Sequence, residues 1–420
     1  MGTEAASLKR IAIIGGGPGG ASCALTLLRG ARERGREIEV LLVEPKRFGE
    51  HYNQCLGVLT VDESLKELMA ELGLQFPHDL VQRLVRGYVL HAQDDQILLV
   101  PREGDAPVGA LRRVQFDEFL LNEAAHAGAV VLPYRMVDLE FQKNRVIIYT
   151  EGGTYHTDVV VGAFGLDTSA ASVFARRSAY RPPPSIETLV TKIHPAGLEP
   201  IEGLLEDHIH AFLPRLPQIE FGALVPKGNH ISIIIAGRGL AMRDMQRFLA
   251  MPQVSPLLPE GAEPGDCFRG TFPVGLAHHF FGQRYLIVGD AAGLVRPFKG
   301  GGIAAALKTG RLAGRTLVAH GVTAQAGAAY MAECRDLRGD VRYGQVLRWL
   351  VALLSGPFRL EAIIHLAHQS PAMQQALYDC VSGRTSYRQI FREELTPSLL
   401  ARAAWACITW PLRGRRDRPV

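Results

Sequence analysis

Apolar and polar positions change their rhythm twice along this chain. Residues 10–14 form a short apolar run that stops at Gly15, which predicts a buried parallel strand. Ala24, Leu27 and Leu28 then recur at helical spacing within residues 20–34, and residues 39–43 are apolar again. The chain therefore opens as strand, helix, strand. The spacing predicts further helices over 65–72, 79–85 and 116–126, and strands over 88–90 and 96–100. Residues 137–141 and 146–150 alternate around Gln142-Lys143-Asn144, the pattern of a hairpin. Residues 158–161 read as another buried strand.

Pro182-Pro183-Pro184 cannot sit in the centre of a sheet and marks a crossing between domains. Beyond it, residues 209–213, 220–225 and 231–236 predict strands without intervening helices, hence an antiparallel sheet. Residues 285–288 return to buried parallel character, 301–320 predict a long helix, and the chain is mostly helical from about Tyr330. No apolar run is long enough for a transmembrane helix.

Chemistry enters at the first turn. Gly15-Gly16-Gly17-Pro18-Gly19-Gly20 fits G-x-G-x-x-G between strand and helix. Gly15 permits the tight turn, Gly17 lets the backbone approach a pyrophosphate, and Gly20 lets helix and strand pack closely. The helix N-terminus offers free N–H groups and a positive dipole to the phosphates. Glu44 ends the second strand, where a carboxylate grips the hydroxyls of an unphosphorylated ribose. This much serves FAD and NAD alike.

A second segment separates them. Tyr285-Leu286-Ile287-Val288 runs into Gly289-Asp290-Ala291-Ala292-Gly293, and Gly300-Gly301-Gly302-Ile303 opens the next helix. Asp290 suits a ribityl or ribose hydroxyl, and the helix start suits negative charge on a reduced flavin. The cofactor read from the pair of segments is FAD.

These residues resemble the geranylgeranyl reductase family of FAD-dependent oxidoreductases, within the para-hydroxybenzoate hydroxylase-like flavoproteins. The segment 289–293 with Pro297-Phe298-Lys299-Gly300-Gly301-Gly302-Ile303 is similar to that family's FAD signature. Arg113-Val114-Gln115-Phe116-Asp117 resembles its Arg-x-x-Phe-Asp, and Cys55-Leu56-Gly57 its Cys-x-Gly beside the flavin. Residues 221–228, ending in Pro226-Lys227-Gly228, resemble its strand–Pro–turn over the substrate pocket. Ser382-Gly383 with Ser386-Tyr387 resembles its C-terminal Gly-x-x-Ser-Tyr segment.

The resemblance implies an α/β fold: a discontinuous Rossmann-like FAD domain with a central parallel sheet (8–75, 112–178 and 280–325), an antiparallel-sheet substrate domain (76–111 and 179–279) and a helical C-terminal region (326–420). It implies FAD contacts at Gly15, Gly17, Pro18, Gly20, Glu44, Arg113, Val137, Gly289, Asp290, Gly301, Gly302 and Ile303. It makes Cys55 the catalytic candidate, against the plainer reading of a small gap-filling residue. The implied reaction is reduction of C=C bonds in a polyprenyl group by hydride from reduced flavin.

Two departures stand out. Gly162-Ala163-Phe164-Gly165 puts an aromatic where the superfamily usually carries an acid, so the electron donor stays open among NADPH, NADH and a reduced protein carrier. Arg296 and Lys299 flank the flavin loop, either to attract an anionic head group or simply as solvated surface charges. A flavin-dependent monooxygenase or halogenase-like enzyme is the alternative class, although the halogenase Trp-x-Trp-x-Ile-Pro motif is missing and monooxygenases usually keep the acid replaced by Phe164. An electron-transfer flavoprotein feeding membrane quinones is a third, without the cysteine spacing for an iron–sulfur cluster.

Composition narrows the partners. A formal net charge of +4 over 420 residues does not suggest nucleic-acid binding. None of the 6 cysteines forms a CxxC pair, so neither zinc nor a redox dithiol is indicated, and a reducing cytoplasm is expected. His208-x-His210 alone is too few ligands for a metal, and His278-His279 reads as surface. The N-terminus carries neither a signal-peptide nor a myristoylation pattern. Trp405 and Trp410, followed by Arg413-Gly414-Arg415-Arg416, suit a headgroup boundary, so peripheral membrane contact through the C-terminal segment is expected beside a hydrophobic or lipid substrate.

Overall fold

The computed structural model describes residues 8–46, 55–195, 199–261, 263–297, 301–354 and 358–410. The first seven residues, Phe298-Lys299-Gly300 and the basic 413–416 cluster lie outside them.

One sheet of six strands runs in the order Phe281–Gly282, Tyr285–Ile287, Val159–Gly162, Arg10–Ile14, Glu39–Val43, Val130–Leu132. Every pair is parallel except the short antiparallel edge at Phe281–Gly282. Ile11, Ile13, Leu42, Val160 and Val161 are fully buried, which is why these strands read as continuous apolar runs. Helix Pro18–Arg32 packs tightly on helix Gly302–His320. Ser22 Oγ donates to the Leu307 carbonyl at 2.9 Å, and the absent side chain of Gly310 leaves room for the Gly19 backbone.

A second sheet has seven strands in the order Phe268–Pro273, Ser185–Ile193, Ile231–Gly237, Ile219–Pro226, His208–Phe212, Gly87–His91, Gln96–Leu99. It is antiparallel as expected except where His208–Phe212 pairs in parallel with Gly87–His91. Helices Glu199–Leu205 and Met242–Leu249 flank the run of three strands expected to lack helices, and none lies between those strands. The hairpin over Met136–Phe141 and Val146–Thr150 is present and gains a third strand, Gly153–Thr157.

One element is corrected. The helix expected over 79–85 is a single 3-10 turn, His78–Leu80, followed by strand Val81–Val85. Val81, Leu84 and Val85 have helical spacing, but this strand pairs antiparallel with Val108–Leu111. Its two β-branched valines suit that edge, and the tertiary pairing overrides local periodicity.

The C-terminal helices Arg359–Gln369, Pro371–Ser382 and Pro397–Thr409 close over the seven-stranded sheet. Leu90, Leu99 and Ile209 of that sheet share one core with Leu360, Ile363, Met373 and Leu399 of the helices. Among the described residues, no helix is long and apolar enough to cross a membrane.

Candidate functional site

The glycine turn is built as its spacing demands. Gly15 has φ 109°, and an added Cβ would collide with the Ala163 carbonyl. A Cβ on Gly20 would collide with the Gly15 carbonyl oxygen. Gly17 differs: the nearest atoms to an added Cβ would be Arg113 Nη2 and Asp117 Oδ2, both at 4.0 Å. Its side therefore faces open space, with Pro18 at the first helical position beside it. Glu44 is buried under the turn; Oε2 accepts the Gly16 N–H at 2.7 Å and Oε1 the Lys46 N–H at 2.9 Å. Each oxygen keeps a second lone pair for a ligand hydroxyl.

Arg113 opens the helix Arg113–His126 and binds Asp117, one turn on, at 2.5 Å. Burial works to lower the Arg113 pKa, but Asp117, Cys55 and Asp290 outweigh it and fix the guanidinium charge. Burial raises the pKa of Asp290, and Arg113 opposes that rise. Asp290 Oδ1 is buried without a hydrogen-bond partner. A Cβ on Gly302 would lie 2.9 Å from it, so this carboxylate stands at the N-terminus of helix Gly302–His320. Gly289, at φ 60°, donates to Thr309 Oγ1 at 2.9 Å and anchors the turn to the same helix.

A cavity of about 1100 Å³ begins here and runs beneath the C-terminal helices. Cys55, Arg113, Asp290, Gly301, Gly302 and Ile303 all line it. Gly15, Gly17, Pro18, Gly20, Glu44 and Gly289 are not among its lining residues. Val137 stands apart on strand Met136–Phe141, 50% exposed. Cys55 is exposed, and its Sγ accepts the Gly57 N–H at 3.3 Å. The orphaned Asp290 oxygen, the open side of Gly17 and the two helix N-termini match a dinucleotide flavin: a pyrophosphate at the glycine turn, ribityl hydroxyls at Asp290.

Phe164 fills a nest against Phe174 and Tyr180, with ring centroids 5.1 and 6.0 Å away. Arg296 is tied to Asp340 at 3.4 Å and lies over the Tyr387 ring, so it is neither free nor merely solvated. Fully buried Tyr387 and Gly344 meet under Pro297, which links the C-terminal Ser-Tyr segment to the flavin loop. His210 Nδ1 bonds His91 Nε2 at 2.8 Å, His278 and His279 are exposed, and no metal-binding cluster occurs among the described residues.

Sequence reasoning gave no role to Lys227 beyond its motif. It is 3% exposed, and its Nζ donates to the carbonyls of Leu56 and, at 2.9 Å, Leu111. Burial lowers its pKa to about 7, opposed by Cys55 and reinforced by Lys192. It ties the Cys55 loop to the strand that leads into the Arg113 helix. Its place directly after Pro226 was the one available signal.

No family profile matches the chain. Curated relatives do. A digeranylgeranylglycerophospholipid reductase of Methanothrix thermoacetophila is 27% identical over 73% of this chain and 77% of its own length. A chloroplastic geranylgeranyl diphosphate reductase of Oryza sativa is 27% identical over 81% of this chain and 72% of its own. The chain is an FAD-dependent oxidoreductase related to the geranylgeranyl reductases. Its fold agrees with that of a geranylgeranyl bacteriochlorophyll reductase-like protein from Thermoplasma acidophilum, at a TM-score of 0.70 and 16% identity over 95% of this chain and 99% of the other. A flavin-dependent brominase shares the oxidoreductase's fold at a TM-score of 0.62 and 17% identity, covering 91% of this chain and 97% of its own.

Proposed function

We propose that this oxidoreductase reduces carbon–carbon double bonds of a polyprenyl group. The observation that carries the reading is the cavity: its Asp290 end is polar and glycine-lined, while Leu90, Ile209, Ile363 and Leu400 make the remainder apolar. At about 1100 Å³ it slightly exceeds the usual ~300–1,000 Å³ of a ligand site. That leaves room for a long hydrocarbon beside a flavin ring. The division of the chain into flavin, substrate and C-terminal segments belongs to this reading.

FAD, when bound and reduced, supplies the hydride. Gly17 and the helix it caps would hold the pyrophosphate, Asp290 would orient the ribityl chain, and the apolar wall would exclude water and align the alkene. An isolated alkene accepts hydride only with acid assistance. Cys55 lines the same end of the cavity and supplies the proton. The test is anaerobic: reduced protein is mixed with a polyprenyl lipid. Reoxidation with a saturated product is expected. Reoxidation only by oxygen plus an aromatic, with hydroxylation, would sink the reading in favour of a monooxygenase.

The lipid enters from a bilayer. Leu353 and Leu400 both line the cavity and reach the surface, so its mouth lies between helices Arg335–Leu354 and Pro397–Thr409. Trp349, Trp405 and Ile408 are exposed around it at 62%, 68% and 66%. Arg402 lies exposed on the second helix. Each large apolar side chain taken into lipid contributes about 1.5–3 kcal/mol. The double variant Trp405→Ser, Ile408→Ser should therefore float with anionic vesicles at least about 10-fold less well. Unchanged flotation would remove the membrane from the reading.

A further inference from the structure

Behind the Cys55 loop lies a group of basic side chains that the proposed hydride chemistry does not use. Lys192 closes strand Ser185–Ile193, in register with Ser232 of the neighbouring strand. Lys227 and His230 bracket the turn before that strand, with the Lys227 N–H donating to the His230 carbonyl at 2.9 Å. The His194 and His230 rings lie 5.1 Å apart. Lys227 Nζ reaches the Leu111 carbonyl, which brings in Arg112 as the next residue. Arg112 Nε is buried without a hydrogen-bond partner.

Among the described residues, no carboxylate bears on Lys192, Lys227 or His230. The charges that bear on Lys192, Lys227 and His230 come from one another, from His194 and from Arg112, with the Cys55 thiol beside Lys227. Burial and this mutual repulsion depress all three, His230 to about 3 and Lys227 to about 7. Basic groups gathered without a paired carboxylate gain from an incoming anion, whose charge favours their protonated forms. Lys192 and Arg112 are half-buried and His194 is exposed, so the group is open to solvent.

We propose that Arg112, Lys192, His194 and His230, with Lys227 as their buried base, form a docking site for a phosphate group. A tetrahedral dianion can accept from guanidinium, ammonium and imidazole donors together. Lys227 also holds the carbonyl of Leu56, the residue after Cys55, so the proposed site adjoins the Cys55 loop at the flavin end of the cavity. The phosphate belongs either to the head of a phosphorylated prenyl substrate or to a nicotinamide dinucleotide donor. The site itself stands apart from the polyprenyl reading; only the first of these two sources rests on it.

The test uses the full FAD-loaded chain and inorganic diphosphate, titrated by calorimetry. Binding is expected, at least tenfold weaker in Arg112→Gln with Lys192→Gln and weaker in His194→Gln, whose exposed position keeps the fold. Absent binding, or equal binding by all three proteins, overturns the site. Anaerobic half-reactions then identify the source. If the double variant slows flavin reduction by NADPH but not by NADH, the dinucleotide phosphate docks here. If it slows reoxidation by a prenyl diphosphate but not by the matching prenyl alcohol, the substrate head group does. If it slows neither, the phosphate role is wrong. Failure of both prenyl compounds to reoxidise the unaltered protein would instead sink the polyprenyl reading and leave the calorimetric result standing.

Discussion

Gly17→Asp should give a colourless protein that melts where the unaltered apoprotein does, and Gly20→Ala a colourless protein that melts several degrees lower. The two glycines are three residues apart, but their missing side chains leave different voids. Gly20 is enclosed, and a Cβ there would occupy the place of the Gly15 carbonyl oxygen. Overpacking of this kind costs about 1–3 kcal/mol or more and opens the contact between helix and strand. Gly17 has an extended conformation, φ −68° and ψ −172°, which any residue adopts. An aspartate there is a favourable helix N-cap, so the fold keeps its stability. It also puts a negative charge where the pyrophosphate would lie, near Arg113 and Asp117. FAD affinity should fall by at least about 100-fold, or ~2.7 kcal/mol. Flavin absorbance after reconstitution with excess FAD, read beside a melting curve, separates the two effects. A yellow Gly17→Asp protein would mean that the pyrophosphate does not cross this turn.

That contrast also shows why the flavin end of the molecule was legible. The constraints at residues 15–20 are local: strand, turn and helix lie next to each other in the chain, and each glycine answers to a neighbour a few residues away. The Gly289-Asp290 turn was legible for the same reason, and its start of a helix at Gly302 follows the expectation of 301 to within one residue. Elsewhere the deciding partner is remote. Val81–Val85 carries a helical rhythm, and only the strand Val108–Leu111 beside it makes it a strand. Ser185–Ile193 was not anticipated, although it is a central strand of its sheet. It mixes Glu187, Thr188, Thr191 and Lys192 with its apolar residues, because burial there comes from two neighbouring strands rather than from its own alternation.

The basic group is the extreme case. Arg112 and Lys192 are unremarkable in sequence, Lys227 stands out only by following Pro226, and the three are far apart in the chain. They become a group only when the fold brings them together, with no carboxylate bearing on Lys192 or Lys227 among the described residues. The cavity mouth is intermediate: the apolar C-terminal stretch pointed to a surface role, but its partner helix Arg335–Leu354 and the opening between them needed the fold.

Cys55→Ala should leave FAD binding and flavin reduction unchanged and slow reoxidation by a polyprenyl alkene by about 10²–10⁴-fold, the usual weight of a positioned general acid. The thiol lines the cavity at the end shared with Asp290, and its sulfur accepts only the Gly57 N–H among the described residues. In the proposed reaction its proton is available to the alkene. Arg113 lies within electrostatic reach, so the negative charge left on sulfur after proton donation meets a fixed cation. A merely structural cysteine predicts something else: with the Leu56 carbonyl held by Lys227 and the Gly57 carbonyl by the Leu111 N–H, alanine would preserve the loop and the rate together. Cys55→Ser sharpens the distinction, since a hydroxyl keeps the Gly57 hydrogen bond but is a far weaker acid. It should fall nearer to alanine than to cysteine in single-turnover reoxidation, with flavin content equal in all three proteins. Equal rates across the series would move the proton source elsewhere in the cavity and leave Cys55 as a packing residue at its rim.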